Sequence, residues 1–269
     1  MNKTVLITGS SSGIGLATAL YMHKKGWNVV ATMRNPETRN TELNKVNDIL
    51  KLHLDVKDLN SIQTAIQKSI SKFGKIDAIV NNAGFALVGP FEESDSEKVK
   101  DQFHTNVFGL MDVTREIIPH FRSNGGGSIV NVASVGGRIT FPFYGLYHGT
   151  KWAVEGFSES IQHELKEFNI KVKIIEPGPI RTNFYDSSMK FTSEDGGVYS
   201  TKFKKAFNMM NYFGKKGATP ERVAKTIYNA ASSNSWKLRY PVGSMGMLML
   251  RRLLPDRLFN GAFGFVIMR

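Results

Sequence analysis

In the segment LYHGTKWAVEG (residues 146–156), Tyr147 precedes Lys151 by four positions in a stretch of helical composition. Residues four apart on a helix lie on one face, about 5–6 Å apart at Cβ, so a phenol and an ammonium placed there can converge on one point. That pair can move a proton. The ordinary tyrosine pKa near 10 is too high for efficient exchange at neutrality. Lowering it by roughly three units takes about 4 kcal/mol, and one ammonium about 4 Å away at an effective dielectric near 20 supplies about that much. The same spacing also fits a packed tyrosine beside a solvated lysine, so the rest of the chain has to decide.

The elements that would position such a pair are legible as alternation. Short apolar runs rich in β-branched residues, TVLIT (4–8), NVVATM (28–33), ILKLHL (49–54), DAIVNN (77–82), SIVNVA (128–133) and KVKIIEP (171–177), read as strands buried on both faces. Segments of helical period lie between and after them, at about 14–25, 58–73, 96–123, 145–168 and 219–232, the last with Thr219 as N-cap and Pro220 at N1. This alternation predicts an α/β fold with a parallel, doubly wound sheet and helices on both faces. After the first strand, TGSSSGIG (8–15) opens the first helix. Gly9, Gly13 and Gly15 allow a tight turn and close backbone approach, and the helix N-terminus offers N–H groups to a pyrophosphate. The spacing G-xxx-G-x-G fits the general dinucleotide fingerprint only loosely.

Taken together, this loop, NNAG (81–84), NVFG (106–109), SVGG (134–137), Tyr147-xxx-Lys151 and PGPIRT (177–182) resemble the short-chain dehydrogenase/reductase family, in the expected order from residue 3 to about 240. The resemblance implies that Asn106, Ser134, Tyr147 and Lys151 are catalytic. Tyr147 would exchange the proton, Lys151 would lower its pKa and bond the nicotinamide ribose, and Ser134 would bond the substrate oxygen. Asn106 would hold a water linking Lys151 to solvent. It also implies cofactor contacts from Gly9, Ser11, Ser12, Gly13, Ile14 and Gly15, from Asp55 and Val56 to adenine, from Asn82, Ala83 and Gly84, and from Pro177, Gly178, Ile180 and Thr182. Ser134, Tyr144, Tyr147 and Phe184 would meet the substrate. A turn-capping Ser134 and a backbone-satisfying Asn106 are the competing structural roles.

The cofactor choice turns on the end of the second strand. An NAD-preferring protein would place an acid there to bond the ribose 2′-hydroxyl. This chain has Met33 and then Arg34, whose guanidinium can clamp a 2′-phosphate, so NADP(H) is favoured over NAD(H). An NAD-dependent alcohol dehydrogenase of the same fold, and a non-catalytic NADP(H)-binding sensor, remain the alternatives. The presence of Asn106, Ser134, Tyr147 and Lys151 together favours the enzyme.

Composition bounds the remainder. The 269 residues suit one domain over 1–269, with 183–216 as a substrate lid and 243–269 as a C-terminal extension. Cysteine is absent, which excludes disulfides and thiolate chemistry. The six histidines lack metal-ligand spacing, so no metal is expected. A cytoplasmic protein is expected, since the first residues lack a signal-peptide core.

Net charge is +12, and residues 201–269 hold 13 Lys and Arg against Glu221 and Asp256. No nucleic-acid recognition motif accompanies that charge. The aromatic and Met content of the lid (Phe184, Tyr185, Phe191, Tyr199, Phe203, Phe207, Met209, Met210, Tyr212, Phe213) suits an apolar ligand or ordinary packing. In the extension, Met247, Leu250, Leu254 and Leu258 form an apolar stripe beside Arg251, Arg252 and Arg257. Such a stripe packs against protein or lies at an anionic membrane surface. The resemblance extends to steroid, retinoid and acyl-glycerone reductases, which implies a bulky apolar carbonyl substrate and a homo-oligomer.

Overall fold

The computed structural model describes residues 2–181, 188–193 and 196–268. Seven strands form one parallel sheet: β1 (Thr4–Ile7), β2 (Asn28–Met33), β3 (Leu50–His53), β4 (Ala78–Asn81), β6 (Gly127–Val132), β7 (Ile170–Pro177) and β9 (Arg239–Val242). Their order across the sheet is β3-β2-β1-β4-β6-β7-β9. The six expected runs all appear as strands, and all but the edge strand β3 are buried on both faces. The seventh, β9, was not expected; it pairs Arg239–Val242 with Ile174–Pro177 at the edge. A second unexpected pairing joins β5 (Ala86–Val88) to β8 (Met189–Phe191).

Helices cover both faces. On one side α1 (Gly13–Lys24) and α7 (Pro220–Ser232) bury Ala19, Met22, Val223 and Ile227 against Val5, Ile7, Val29 and Ala31. On the other, α2 (Leu59–Phe73) and α4 (Gly109–Ser123) bury Ile62, Ile66, Val113, Ile117 and Phe121 against Leu6, Val30, Ile79 and Ile129. On that same side α5 (Gly145–Leu165) buries Val154 against Ala133 and Ile174. α7 begins as its sequence predicts, with Thr219 Oγ1 accepting from Arg222 N.

Two expectations are corrected. The single helix expected at 96–123 is α3 (Ser96–Phe103) and α4, joined by a π-helical turn at His104–Phe108 that contains Asn106. The extension is not one apolar stripe. It forms α8 (Met245–Leu253) and α9 (Asp256–Met268), broken at Leu254-Pro255, because proline lacks an N–H and restrains the residue before it. Met247, Leu248 and Leu254 pack around the buried Phe259 against Val135 and Ile139, whereas Met249, Leu250, Leu253 and Leu258 are exposed. Among the described residues no helix is long and apolar enough to cross a membrane.

Helix α6 (Ser200–Lys216) turns Phe203 and Met210 inward onto Tyr144 and Met189. Because the extension seats Phe259 beneath the turn after β6, its removal should be felt there. Phe259→Ala is expected to lower stability by about 3 kcal/mol, measured as a drop in the urea midpoint at unchanged slope.

Candidate active site

Strand order reverses between β1 and β4, and a cleft of about 370 Å³ opens at the carboxyl ends of the strands there. The loop after β1 is held by backbone. Gly9 has φ +68°, and a Cβ added to it would lie 2.9 Å from Ala83 Cα. Thr8 Oγ1 accepts from Asn82 N and Ala83 N at 3.0 and 3.1 Å, and Asn82 Nδ2 donates to Thr8 O and Gly9 O at 3.0 Å each. A Cβ at Gly15 would lie 2.3 Å from Gly9 O, so α1 begins pressed onto this loop. Ser11, Ser12, Gly13 and Ile14 line the cleft, and the Ser12 side chain makes no capping bond. The first N–H groups of α1 thus open on the cleft as an anion site.

The strand β6 leads to Ser134, whose Oγ accepts from Gly136 N at 3.0 Å and caps the 3₁₀ turn Val135–Gly137. That is the competing capping role, and it leaves the hydroxyl hydrogen able to donate into the cleft that Ser134 lines. Across from it, α5 carries Tyr147 and Lys151. Lys151 is buried, its Nζ donating to Val132 O at 2.8 Å and lying 5.8 Å from the centre of the Tyr147 ring. Burial pushes the Lys151 pKa down to about 8, while Glu155 pulls it back up.

Asn106 sits behind this group and does not line the cleft. Its Oδ1 accepts from Phe85 N at 3.0 Å, and its Nδ2 donates to Phe85 O at 2.8 Å and to Thr150 Oγ1 at 3.1 Å. With both amide hydrogens engaged, the side chain anchors the loop after β4 to α5. A water serving Lys151 would have to meet the remaining Oδ1 lone pair or the backbone of the π-turn.

At the other end of the cleft lie Arg34, exposed beyond β2, with Asp55 and Val56 beyond β3. Asn82, Ala83, Gly84, Pro177, Gly178 and Ile180 line its middle. Gly15 lies behind the wall, and Thr182 and Phe184 lie outside the described residues. Tyr144, Phe141 and Met210 give the Tyr147 end an apolar side, continued by Phe143 and Phe203 with ring centres 5.4 Å apart.

The sequence reading missed His148, which also lines the cleft. It stacks on Tyr144 with ring centres 5.8 Å apart, its Nδ1 accepts from Phe141 N at 3.3 Å, and burial lowers its pKa to about 4, so it is neutral near pH 7. The i, i+4 spacing of Tyr144 and His148 was the available signal. Also missed was Asp101 on α3, which joins Lys57 at 2.8 Å and Lys190 of β8 at 3.2 Å across the mouth. No group of residues that could hold a metal ion occurs among the described residues.

A glycine loop at a sheet switch point, facing a tyrosine–lysine pair across one cleft, defines an α/β dinucleotide-binding oxidoreductase site. Residues 3–192 match the family model for short chain dehydrogenases. The chain is 38% identical to the uncharacterized oxidoreductase YusZ of Bacillus subtilis over 269 residues, covering 95% of each chain. It is 30% identical to a 3-ketodihydrosphingosine reductase of Bacteroides thetaiotaomicron over 267 residues, covering 97% of this chain and 96% of that protein. Among solved structures it resembles ElxO with NADP bound, with a TM-score of 0.77 and 29% identity over 92% of this chain and all of that one. The protein belongs to the short-chain dehydrogenase/reductase family and is an oxidoreductase of that family.

The anchoring role of Asn106 is open to test. Asn106→Ala leaves the Phe85 N–H without its side-chain acceptor and is expected to lower stability by about 2 kcal/mol, read from equilibrium urea unfolding.

Proposed function

We propose that the protein reduces a bulky, lipid-like ketone or aldehyde with a nicotinamide dinucleotide, NADP(H) in preference to NAD(H). The observation that carries this reading is the order of groups along one cleft: exposed Arg34 at one end, the glycine loop between, and Ser134, Tyr147 and Lys151 at the other, beside apolar Phe141, Tyr144 and Met210. The cradle fits a dinucleotide, since Gly9 holds a backbone conformation in which a side chain would strike Ala83. A nicotinamide held there would supply hydride for the carbonyl carbon.

The chain's own residues handle the oxygen. Ser134, fixed by its bond from Gly136 N, donates its hydroxyl hydrogen to the carbonyl oxygen and orients it. Tyr147 delivers the proton to that oxygen as charge develops on it. Lys151, an ammonium below about pH 8, stabilises the phenolate left behind. Arg34 would hold the 2′-phosphate of NADP(H). The relative named a 3-ketodihydrosphingosine reductase supports a keto-lipid substrate, as do the aromatic and Met side chains turned inward from α6.

The exposed Met249, Leu250, Leu253 and Leu258 beside exposed Arg252 and Arg257 support peripheral contact with an anionic membrane, from which such a substrate would enter. Exposed Phe108 and Trp152 on the helices flanking the site support a homo-oligomer.

Four measurements test this. Mixing protein, NADPH and long-chain, steroid and retinoid carbonyls should consume NADPH at 340 nm; Tyr147→Phe should slow this about 10²–10⁴-fold while still binding cofactor. Cofactor binding without turnover on any carbonyl would favour a sensor. Arg34→Asp should raise the KM for NADPH far more than that for NADH, and equal effects would sink the NADP(H) preference. Because Lys151 loses its proton as pH rises through about 8, the reduction rate should fall on the alkaline side of that value. Vesicles containing anionic lipid should sediment the protein at low salt, and failure to do so would remove the membrane contact.

A further inference from the structure

Behind the Tyr147–Lys151 pair lies a second ionic group, two of whose carboxylates are buried. Glu155 lies one helical turn beyond Lys151 on α5 and is 4% exposed; Glu176 on β7 is 1% exposed. Arg239 of β9 places Nε 3.0 Å from Glu155 Oε2 and 3.7 Å from Glu176 Oε1, and its Nη2 lies 2.7 Å from Glu159 Oε2. Arg138, just past the Ser134 turn, places Nη1 3.1 Å from Glu176 Oε1. Three carboxylates thus face two guanidiniums, and Lys151 lies four residues before Glu155 on the same helix. Glu155 Oε1 is buried and has no hydrogen-bond partner among the described residues. The packing is close, since a Cβ at Gly137 would lie 2.8 Å from both Glu155 Cγ and Lys151 O. The turn that caps on Ser134 therefore rests on the helical turn that carries Lys151 and Glu155.

Buried ion groups contribute little stability over well-packed apolar residues, so their presence is poorly explained by folding alone. We propose that Glu155 is a positioning residue for the reaction: held by Arg239 one helical turn from Lys151, its carboxylate is the counter-charge that keeps Lys151 an ammonium in its buried site. This rests on the reading of Tyr147 and Lys151 as the proton-handling pair. Desolvation pushes Lys151 down to about 8, and Glu155 is the group that opposes it. Desolvation, then repulsion from Glu176, pushes Glu155 up to about 7, against the pull of Arg239 and Arg138. Glu155 thus favours the charged form of Lys151, while Arg239 and Arg138 favour the charged form of Glu155. Lys151 therefore loses part of its counter-charge when Glu155 takes up a proton.

The test measures the Lys151 titration itself. Protein labelled with ¹³C-lysine gives one Cε resonance per lysine, and the Lys151 signal is assigned by its loss in Lys151→Met. In Glu155→Gln its midpoint should fall by on the order of one pH unit, as expected for losing a unit charge one turn away. Glu155→Asp should restore most of the shift, and Glu159→Gln, at an exposed position, should leave it near the wild-type value. In the wild type the same signal should carry a smaller inflection near pH 7 as Glu155 titrates, which keeps the idea testable if Glu155→Gln does not fold. An unchanged midpoint in a folded Glu155→Gln, or the absence of that inflection, overturns the proposal. In turnover assays the alkaline limb of kcat should move with the NMR midpoint. If the wild type reduces no carbonyl at all, the enzymatic reading fails while the NMR titration still decides the role of Glu155.

Discussion

Burying an ammonium costs several kcal/mol even after the surroundings relax, and Lys151, 7% exposed, is such a group. It makes one carbonyl bond, to Val132 at the end of β6. That contact ties the centre of α5 to the last residue of the strand, just ahead of Ser134, and so fixes the distance between the helix and the turn that together present the hydroxyl, the phenol and the ammonium. The position of Val132 depends in turn on the sheet. Asn131 beside it takes a hydrogen bond from Asn81 of β4 and donates to Ser158 of α5, so two strands and the helix are locked by side chains as well as by the ladder. The π-turn serves the same geometry from the other side, carrying Asn106 to bridge the loop after β4 and Thr150 of α5.

The two ends of the cleft use different physics. At the glycine loop the chain offers backbone N–H groups and close approach, and the side chains that matter, Thr8 and Asn82, bond other backbone to keep the loop in shape. Recognition there needs precise main-chain placement and tolerates little side-chain volume, as the contacts a Cβ would make at Gly9 and Gly15 illustrate. At the Tyr147 end the work is done by protonation states in a poorly solvated place. His148 is neutral there and Lys151 is held near the edge of its charged range, both by the same burial. A site in which desolvation alters several groups at once needs compensating charge nearby.

What the sequence made legible follows from how local each signal was. The central strands were readable because strands buried on both faces have continuous β-branched runs, and the glycine loop, NNAG, the Ser134 segment and Tyr147-xxx-Lys151 are contiguous motifs. The edge strand β9 was not, because only Val242 of its four residues is fully buried and the apolar run is missing. The β5–β8 pair was hidden for another reason: each strand has three residues, and they meet across about a hundred positions of chain. The π-turn left a trace, an asparagine in an otherwise good helix, but periodicity alone drew one helix through it. The ionic group behind Lys151 had no sequence signature at all, since its members come from α5, β7, β9 and the turn after β6, and Arg239 stands 84 residues from Glu155.

The C-terminal helices show how one segment can face two ways. An apolar stripe written at helical spacing was divided by Leu254-Pro255, so Met247, Leu254 and Phe259 close over Val135 and Ile139 while Leu250, Leu253 and Leu258 are left outside. The inward half lies under the turn whose first residue caps with Ser134, and the same turn rests on Lys151 and Glu155 from above. Any displacement of α8 or α9 is therefore transmitted through a closely packed turn to the Ser134 hydroxyl, because a core at crystal-like density passes strain on instead of absorbing it. The extension meets the turn after β6 through packing at Phe259, and none of its described residues lines the cleft.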